Sequence, residues 1–251
     1  GITAVLGFVD GDGAKLYNSA AVIQNRGIRA VYHKIQLPNY SVFDEQRYFT
    51  PGASPLTVEL DGILIGVSVC EDIWVANSVI ETQALKNRAE IALNISASPY
   101  AISKRDERKA LIQKRANNNS VFVVYTNLAG GQDELVFDGQ SMIVDPNGSV
   151  IAEGAAFAED FIVHTIDVDK VRDLRDASSF QFVANNFDSP LSSCTFTNLK
   201  QSKLSEIEPA ERNHSAVNPL ASLEEEIYGA LLLGLGDYAV SYTHLTLPTK
   251  V

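Results

Sequence analysis

Cysteine is scarce in this chain. Only Cys70 and Cys194 occur among 251 residues. They are far apart and in dissimilar contexts, without the spacing of a metal site or a disulfide framework, which fits a reducing cytoplasm. Positive charge is short as well, with 20 Lys and Arg against 31 Asp and Glu and a net charge of −11. That balance argues against nucleic acid, or an anionic membrane surface, as the main partner. No apolar run approaches the roughly 18 residues of a membrane span. The first residues lack the charged-then-apolar layout of a signal peptide, and no internal repeat is visible. What is present is a hydrophobic content of 45%, enough for a globular core. The length suits one large α/β domain, or one domain plus part of another.

The chain is organised around residues 67–74, and an apolar run from Ile63 leads into them. Alternation places Ile63, Ile65, Val67 and Val69 on one face, and Leu64, Gly66, Ser68 and Cys70 on the other. Both faces are apolar or small, so a strand buried on both sides is expected. Cys70 closes that strand and two acids, Glu71 and Asp72, follow. A thiol where a strand turns and exposes backbone N–H groups is well placed to be a nucleophile beside an oxyanion site. Taken alone, a cysteine in an apolar run is a small buried hydrophobe. Glu71 and Asp72, taken alone, are solvated loop acids.

Upstream, Ile2–Val9 reads as a strand, Asp10-Gly11-Asp12-Gly13 as a hairpin turn, and Leu16–Gln24 as its partner. Asn25-Arg26-Gly27 turns into Ile28–Tyr32, which delivers His33 and Lys34. The irregular, aromatic-rich segment Leu37–Gly52 has the character of a functional loop. Downstream, a helix is expected from Val75 to Ala89, a short buried strand over Glu90–Ile95, and a basic helix from a Ser103 cap to about Asn118. Val121–Thr126 is strongly β-forming. Asn127–Asp138 reads as a polar glycine-bearing loop, residues 142–153 as a hairpin around Asn147-Gly148, and Ile162–Asp167 as a further strand. Residues 177–221 lose periodicity and read as a linker or arm. Ser222-Leu223-Glu224-Glu225 resembles a capping box, with Leu223, Ile227, Leu231 and Leu235 at helical spacing, so a second domain is expected to begin at residues 222–240. Ser241–Val251 breaks that pattern and reads as a tail foreign to the domain.

Amide hydrolysis by a cysteine needs a thiolate, a proton acceptor and positive charge where the oxyanion forms. Lys34 alone is a solvated surface charge. In combination, His33-Lys34-x-x-Leu37-Pro38, then Glu45, then Cys70-Glu71-Asp72, the chain resembles the nitrilase superfamily of carbon–nitrogen hydrolases. The segments Lys34–Phe49, Asn94–Tyr100 and Gly130–Gly139 are similar to the glutamine-hydrolysing branch of that superfamily, whose members are fused to a synthetase. The likeness spans roughly residues 1–175.

The resemblance implies an α/β fold, a nitrilase-like four-layer α-β-β-α sandwich over residues 1–176, with its first strand and helix lying before Gly1. It implies Cys70 as nucleophile, Lys34 as the triad lysine, and Glu45 as a carboxylate that holds Lys34. Tyr40, Ser98 and Lys104 would bind glutamine; a zwitterionic substrate calls for a cation and orienting hydroxyls of this kind. The triad glutamate would lie upstream of Gly1. No cofactor is expected in residues 1–251, whereas ATP and Mg2+ would serve the synthetase portion further along the same polypeptide. The implied partners are glutamine, that synthetase domain and further copies in a homo-oligomer, with neither nucleic acid nor membrane. The alternatives are a free-standing amidase of the superfamily and a catalytically silent assembly module.

Overall fold

The computed structural model describes residues 1–77, 79–176, 180, 183–184, 187–188, 191, 195–200 and 222–246, with residues 241–246 described by their backbone alone. The first three strands, β1 (Thr3–Gly11), β2 (Leu16–Gln24) and β3 (Gly27–His33), form an antiparallel sheet in that order. The β2–β3 connection is tight because Asn25 and Arg26 both take positive φ (51° and 62°), which matches the twist of a two-residue hairpin. Asp61 and Gly62 (51° and 82°) do the same between β4 (Leu56–Leu60) and β5 (Ile63–Val69).

The larger sheet is built on three parallel strands, β5, β6 (Ile91–Ser96) and β7 (Phe122–Asn127). Parallel neighbours need crossovers. Two helical segments supply them: α1 (Val79–Glu81), continued by a wider turn over Thr82–Lys86, and α2 (Lys104–Asn119). With β8 (Ala129–Gln132) and β9 (Leu135–Asp138) set aside as a separate hairpin, β10 (Met142–Val144) and β11 (Val150–Glu153) extend one edge of the sheet. β4 extends the other. After α3 (Asp169–Arg175), β12 (Thr195–Leu199) pairs parallel to β4. The last element is α4 (Leu223–Thr246).

The two sheets stack face to face. Ala20, Val22 and Tyr32 of the small sheet pack against Leu56, Val58, Val67 and Val69 of the large one. On the far side, Ile80, Ala84, Ile112 and Ala116 of the helical segments cover Ala92, Val123 and Met142. This is the expected α/β sandwich, three of whose layers are formed by described residues. The outer face of the small sheet is apolar, with Leu6 and Ile28 more than half exposed.

Several local expectations differ. Asn127–Asp138 is not a plain loop: β8 and β9 pair antiparallel about a turn where Asp133 takes φ 50°, a pairing that its glycines hide from any apolar alternation. Residues 162–167 form no strand despite their alternation. The helix expected from Val75 to Ala89 shrinks to residues 79–86, because Asn77 and Arg88 adopt positive φ (53° and 62°) at its ends. Ser103 sits at φ 67° and makes no side-chain cap to α2. Within the segment read as a linker, Thr195–Leu199 is a sheet strand; Cys194 and residues 201–221 lie outside the described residues. Ser222 does cap α4, its Oγ accepting from the Glu225 N–H at 3.2 Å. The helix then runs on to Thr246, into the expected foreign tail, since nothing stops it before Pro248.

Candidate active site

The parallel strands β5, β6 and β7 all point their C-terminal ends to one edge, where an α/β sheet opens its crevice. Cys70 lies there, at the first position of a short 3-10 turn over Cys70–Ile73 that follows β5 directly. Its φ is +45°, a conformation that non-glycine residues adopt only when the surroundings enforce it. The chain therefore leaves the strand at a sharp corner and presents the thiol at the wall of a cavity of about 960 Å³.

Lys34 and Glu45 line the same cavity. Lys34 follows β3 and is almost fully buried, its Nζ 2.5 Å from Glu45 Oε1. Glu45 opens a 3-10 turn, and its second oxygen accepts from Asn18 Nδ2 at 3.2 Å. A buried ammonium without a partner is costly, and this pair answers that cost. The structure thus gathers Cys70, Lys34 and Glu45, which are well separated in sequence. Burial pushes the Cys70 thiol up from its ordinary pKa; Lys34 pulls it down, and Glu45 and Glu71 push it up further.

Tyr40 and Lys104 form a neighbouring group around Glu71. The Tyr40 hydroxyl reaches both Glu71 oxygens at 3.0 Å, and burial together with that bond raises its pKa to about 12. Lys104, at the start of α2, lies 4.0 Å above the Trp74 ring, and its charge acts on Glu71. Ser98 is buried after β6, its backbone N–H donating to Asn127 Oδ1 at 2.9 Å. Tyr40, Ser98 and Lys104 are not among the residues that line the cavity with Cys70.

Asp72 is not a solvated loop acid. It is fully buried and accepts four hydrogen bonds, from the N–H groups of Ile35, Gln36 and Val69 and from the Tyr32 hydroxyl. It fixes the segment just after Lys34 to the turn that carries Cys70. Nothing local in the sequence marks this role; the one available signal was an acid two residues past the thiol. Asn94 was also missed. Its Nδ2 donates to Ser68 Oγ at 3.0 Å and lies 3.5 Å from the Cys70 carbonyl. Among the described residues, no group of three or more His, Cys, Asp and Glu is arranged to hold a metal ion, and no helix is long and apolar enough to cross a membrane.

An α/β sandwich with a cysteine at a strained strand end, beside a buried lysine–carboxylate pair, defines the class. The carbon-nitrogen hydrolase family model matches residues 1–176, and the chain belongs to that family. Its relatives narrow the comparison. It is 41% identical over 242 residues to a glutamine-dependent NAD(+) synthetase of Thermotoga maritima, covering 95% of this chain and 40% of the relative. The corresponding protein of Aquifex aeolicus is 40% identical over 223 residues, covering 89% and 38%. The chain thus spans about 40% of the length of these curated relatives.

Among solved structures, glutamine-dependent NAD+ synthetase from Acinetobacter baumannii aligns with a TM-score of 0.70 at 31% identity, covering 95% of this chain and 38% of that one. An amidase of Nesterenkonia sp. AN1, carrying the acetamide moiety of fluoroacetamide on its active-site cysteine, aligns with a TM-score of 0.56 at 25% identity. That alignment covers 62% of this chain and 57% of the amidase.

Proposed function

We propose that this chain hydrolyses the side-chain amide of glutamine, with Cys70 as nucleophile, and supplies the ammonia to a synthetase portion of a longer polypeptide. The observation that carries this reading is the convergence of Cys70, Lys34 and Glu45 on one cavity wall. The thiolate attacks the amide carbon and the carbonyl electrons move onto oxygen, where Lys34 offsets the new charge. The C–N bond breaks and ammonia leaves after gaining a proton. Water then attacks the γ-glutamyl thioester, releasing glutamate and restoring the thiol.

Glu45 aims Lys34 through their direct contact, and Tyr40, Ser98 and Lys104 hold the substrate's polar ends. A thiol pushed up by burial is protonated at neutral pH, so a base must take its proton. Glu45 is engaged by Lys34 and Asn18, and Glu71 by Tyr40. The reading therefore assigns that role to a carboxylate upstream of Gly1, as the family resemblance implies. Similarity to NAD(+) synthetases along 95% of the chain supports amidation of nicotinate adenine dinucleotide as the fate of the ammonia. ATP and Mg2+ would act in that portion, and the assembly would be a homo-oligomer.

The test is made in the polypeptide that carries the synthetase portion. Cys70→Ala should abolish glutamine-dependent NAD+ formation and leave ammonia-dependent formation largely intact. Equal loss with both nitrogen donors overturns the assignment.

A further inference from the structure

Asn18 sits on the middle strand of the three-stranded sheet, opposite Val9 of β1. On its other side its carbonyl accepts from the Lys34 N–H at 2.8 Å, one step beyond the Ser19–His33 pair that ends the β2–β3 ladder. Residues opposite each other in antiparallel strands send their side chains to the same face. Asn18 and Lys34 accordingly stand side by side, and both line the cavity that holds Cys70.

Glu45 reaches this pair from the loop after Lys34, and its carboxylate is divided between them. Oε1 takes the Lys34 ammonium at 2.5 Å, and Oε2 accepts from Asn18 Nδ2 at 3.2 Å. The orientation of the amide follows from chemistry, because a carboxylate paired with an ammonium can only accept. Lys34 carries its charge on a flexible four-carbon stem, so its partner decides where that charge stands. Glu45 itself lies on a three-residue turn in an irregular loop, a less rigid support than a strand. One contact to Lys34 would leave its carboxylate free to swivel about the last side-chain bond. The second contact, to a side chain whose backbone is held from both sides, removes that freedom.

We propose that Asn18 is a positioning residue for amide hydrolysis: its side-chain N–H2 fixes the Glu45 carboxylate and, through it, the Lys34 ammonium at the cavity wall. This rests on the reading of Cys70, Lys34 and Glu45 as the glutaminase centre. The amide exchanges no atom with the substrate; it keeps the ammonium in the place where the oxyanion forms. Holding the substrate's polar ends falls to other residues. The expected signature is therefore a loss of turnover rather than of apparent affinity.

The experiment is steady-state glutamate release from glutamine by the synthetase-bearing polypeptide, with Asn18→Ala, Asn18→Asp and Asn18→Gln compared below their melting temperatures. Asn18→Ala should lower kcat about tenfold or more, with KM for glutamine within about twofold of the parent. Asn18→Asp keeps the shape but has no N–H to give and turns a carboxylate on Glu45, so it should lose at least as much. Asn18→Gln carries the same N–H2 into the open cavity and should recover part of the loss. A merely structural role follows shape instead, with Asn18→Asp near the parent and Asn18→Gln the poorer. If Asn18→Ala does not fold, the order of Asn18→Asp and Asn18→Gln decides alone. An unchanged kcat in Asn18→Ala, or a faster Asn18→Asp than Asn18→Gln, overturns the proposal. Cys70→Ala in the same assay separates the two ideas. Glutamate release that survives it overturns the glutaminase reading, whereas release that it abolishes, together with an unchanged kcat in Asn18→Ala, overturns the role of Asn18 alone.

Discussion

The Asp72 carboxylate accepts a 2.8 Å hydrogen bond from the Tyr32 hydroxyl, so the two stacked sheets share one buried anion. The same carboxylate takes the Ile35 and Gln36 N–H groups just past Lys34, and the Val69 N–H just before Cys70. One side chain therefore sets the spacing between ammonium and thiol. In Asp72→Asn an amide N–H2 would be turned against N–H donors, at a cost of about 1–3 kcal/mol for each polar group left unsatisfied. A lower melting temperature and slower Cys70 alkylation are expected. A variant as stable and as reactive as the parent would remove Asp72 from this role.

The same residue gives a pH dependence. Burial raises Asp72 from 3.8 to about 6, against the opposing pull of its hydrogen bonds. The folded state thus holds this proton more tightly than the unfolded state does. Its contribution to stability is fully present below the unfolded value and is lost as pH rises through the folded one. The stability gap between parent and Asp72→Asn, measured by urea unfolding, should narrow from pH 4 to pH 7. A gap that widens over that range would mean that the hydrogen bonds outweigh burial.

Lys34 and Glu45 differ in burial, and that difference orders their variants. Glu45→Gln leaves an almost fully buried ammonium without its carboxylate, an imbalance worth about 3–5 kcal/mol. Lys34→Met leaves a carboxylate that still reaches solvent and Asn18. Glu45→Gln should therefore lower the melting temperature more than Lys34→Met, while Lys34→Met lowers glutamine turnover about 10²–10³-fold in the complete enzyme. Thermal unfolding and glutamate release check the two halves; the reverse order of stabilities would contradict the burial argument.

Cys70 holds a left-handed backbone conformation at φ +45°. A side chain there costs about 1–2 kcal/mol relative to glycine. Cys70→Gly should consequently be at least as stable as Cys70→Ala, the opposite of the usual order within regular structure. Denaturant titration of the two variants decides this.

α4 is seated on the β8–β9 hairpin by close approach. Asp237 Oδ2 accepts from the Gly131 N–H at 2.6 Å, and a Cβ at Gly234 would stand 2.8 Å from Val136 Cγ2. Gly234→Val should unseat the helix, seen as faster hydrogen exchange over residues 129–138, with β5–β7 unaffected. Unchanged protection in the hairpin would show that the helix does not depend on this contact.

The strands were legible because their alternation and β-branched residues are local properties, and tight turns such as Asp61-Gly62 announce themselves by residue type. Cys70, Lys34 and Glu45 were legible as a set through family resemblance, since no single one exceeds a structural reading. Asp72 was not, because its full burial follows from β3 and β5 facing each other across the sheet interface, a long-range fact. The β8–β9 hairpin escaped because Gly130 and Gly131 carry no side chain to alternate. Residues 162–167 erred the other way: their alternation has no ladder to join.

The central claim is that Cys70 is the nucleophile toward glutamine. Its most direct test is covalent labelling of the synthetase-bearing polypeptide by an electrophilic glutamine analogue, with the modified peptide located by mass spectrometry. The account predicts a single adduct on Cys70, slowed by added glutamine and strongly reduced in Lys34→Met. Labelling of Cys194 instead, or labelling of Cys70 that glutamine does not slow, would contradict it.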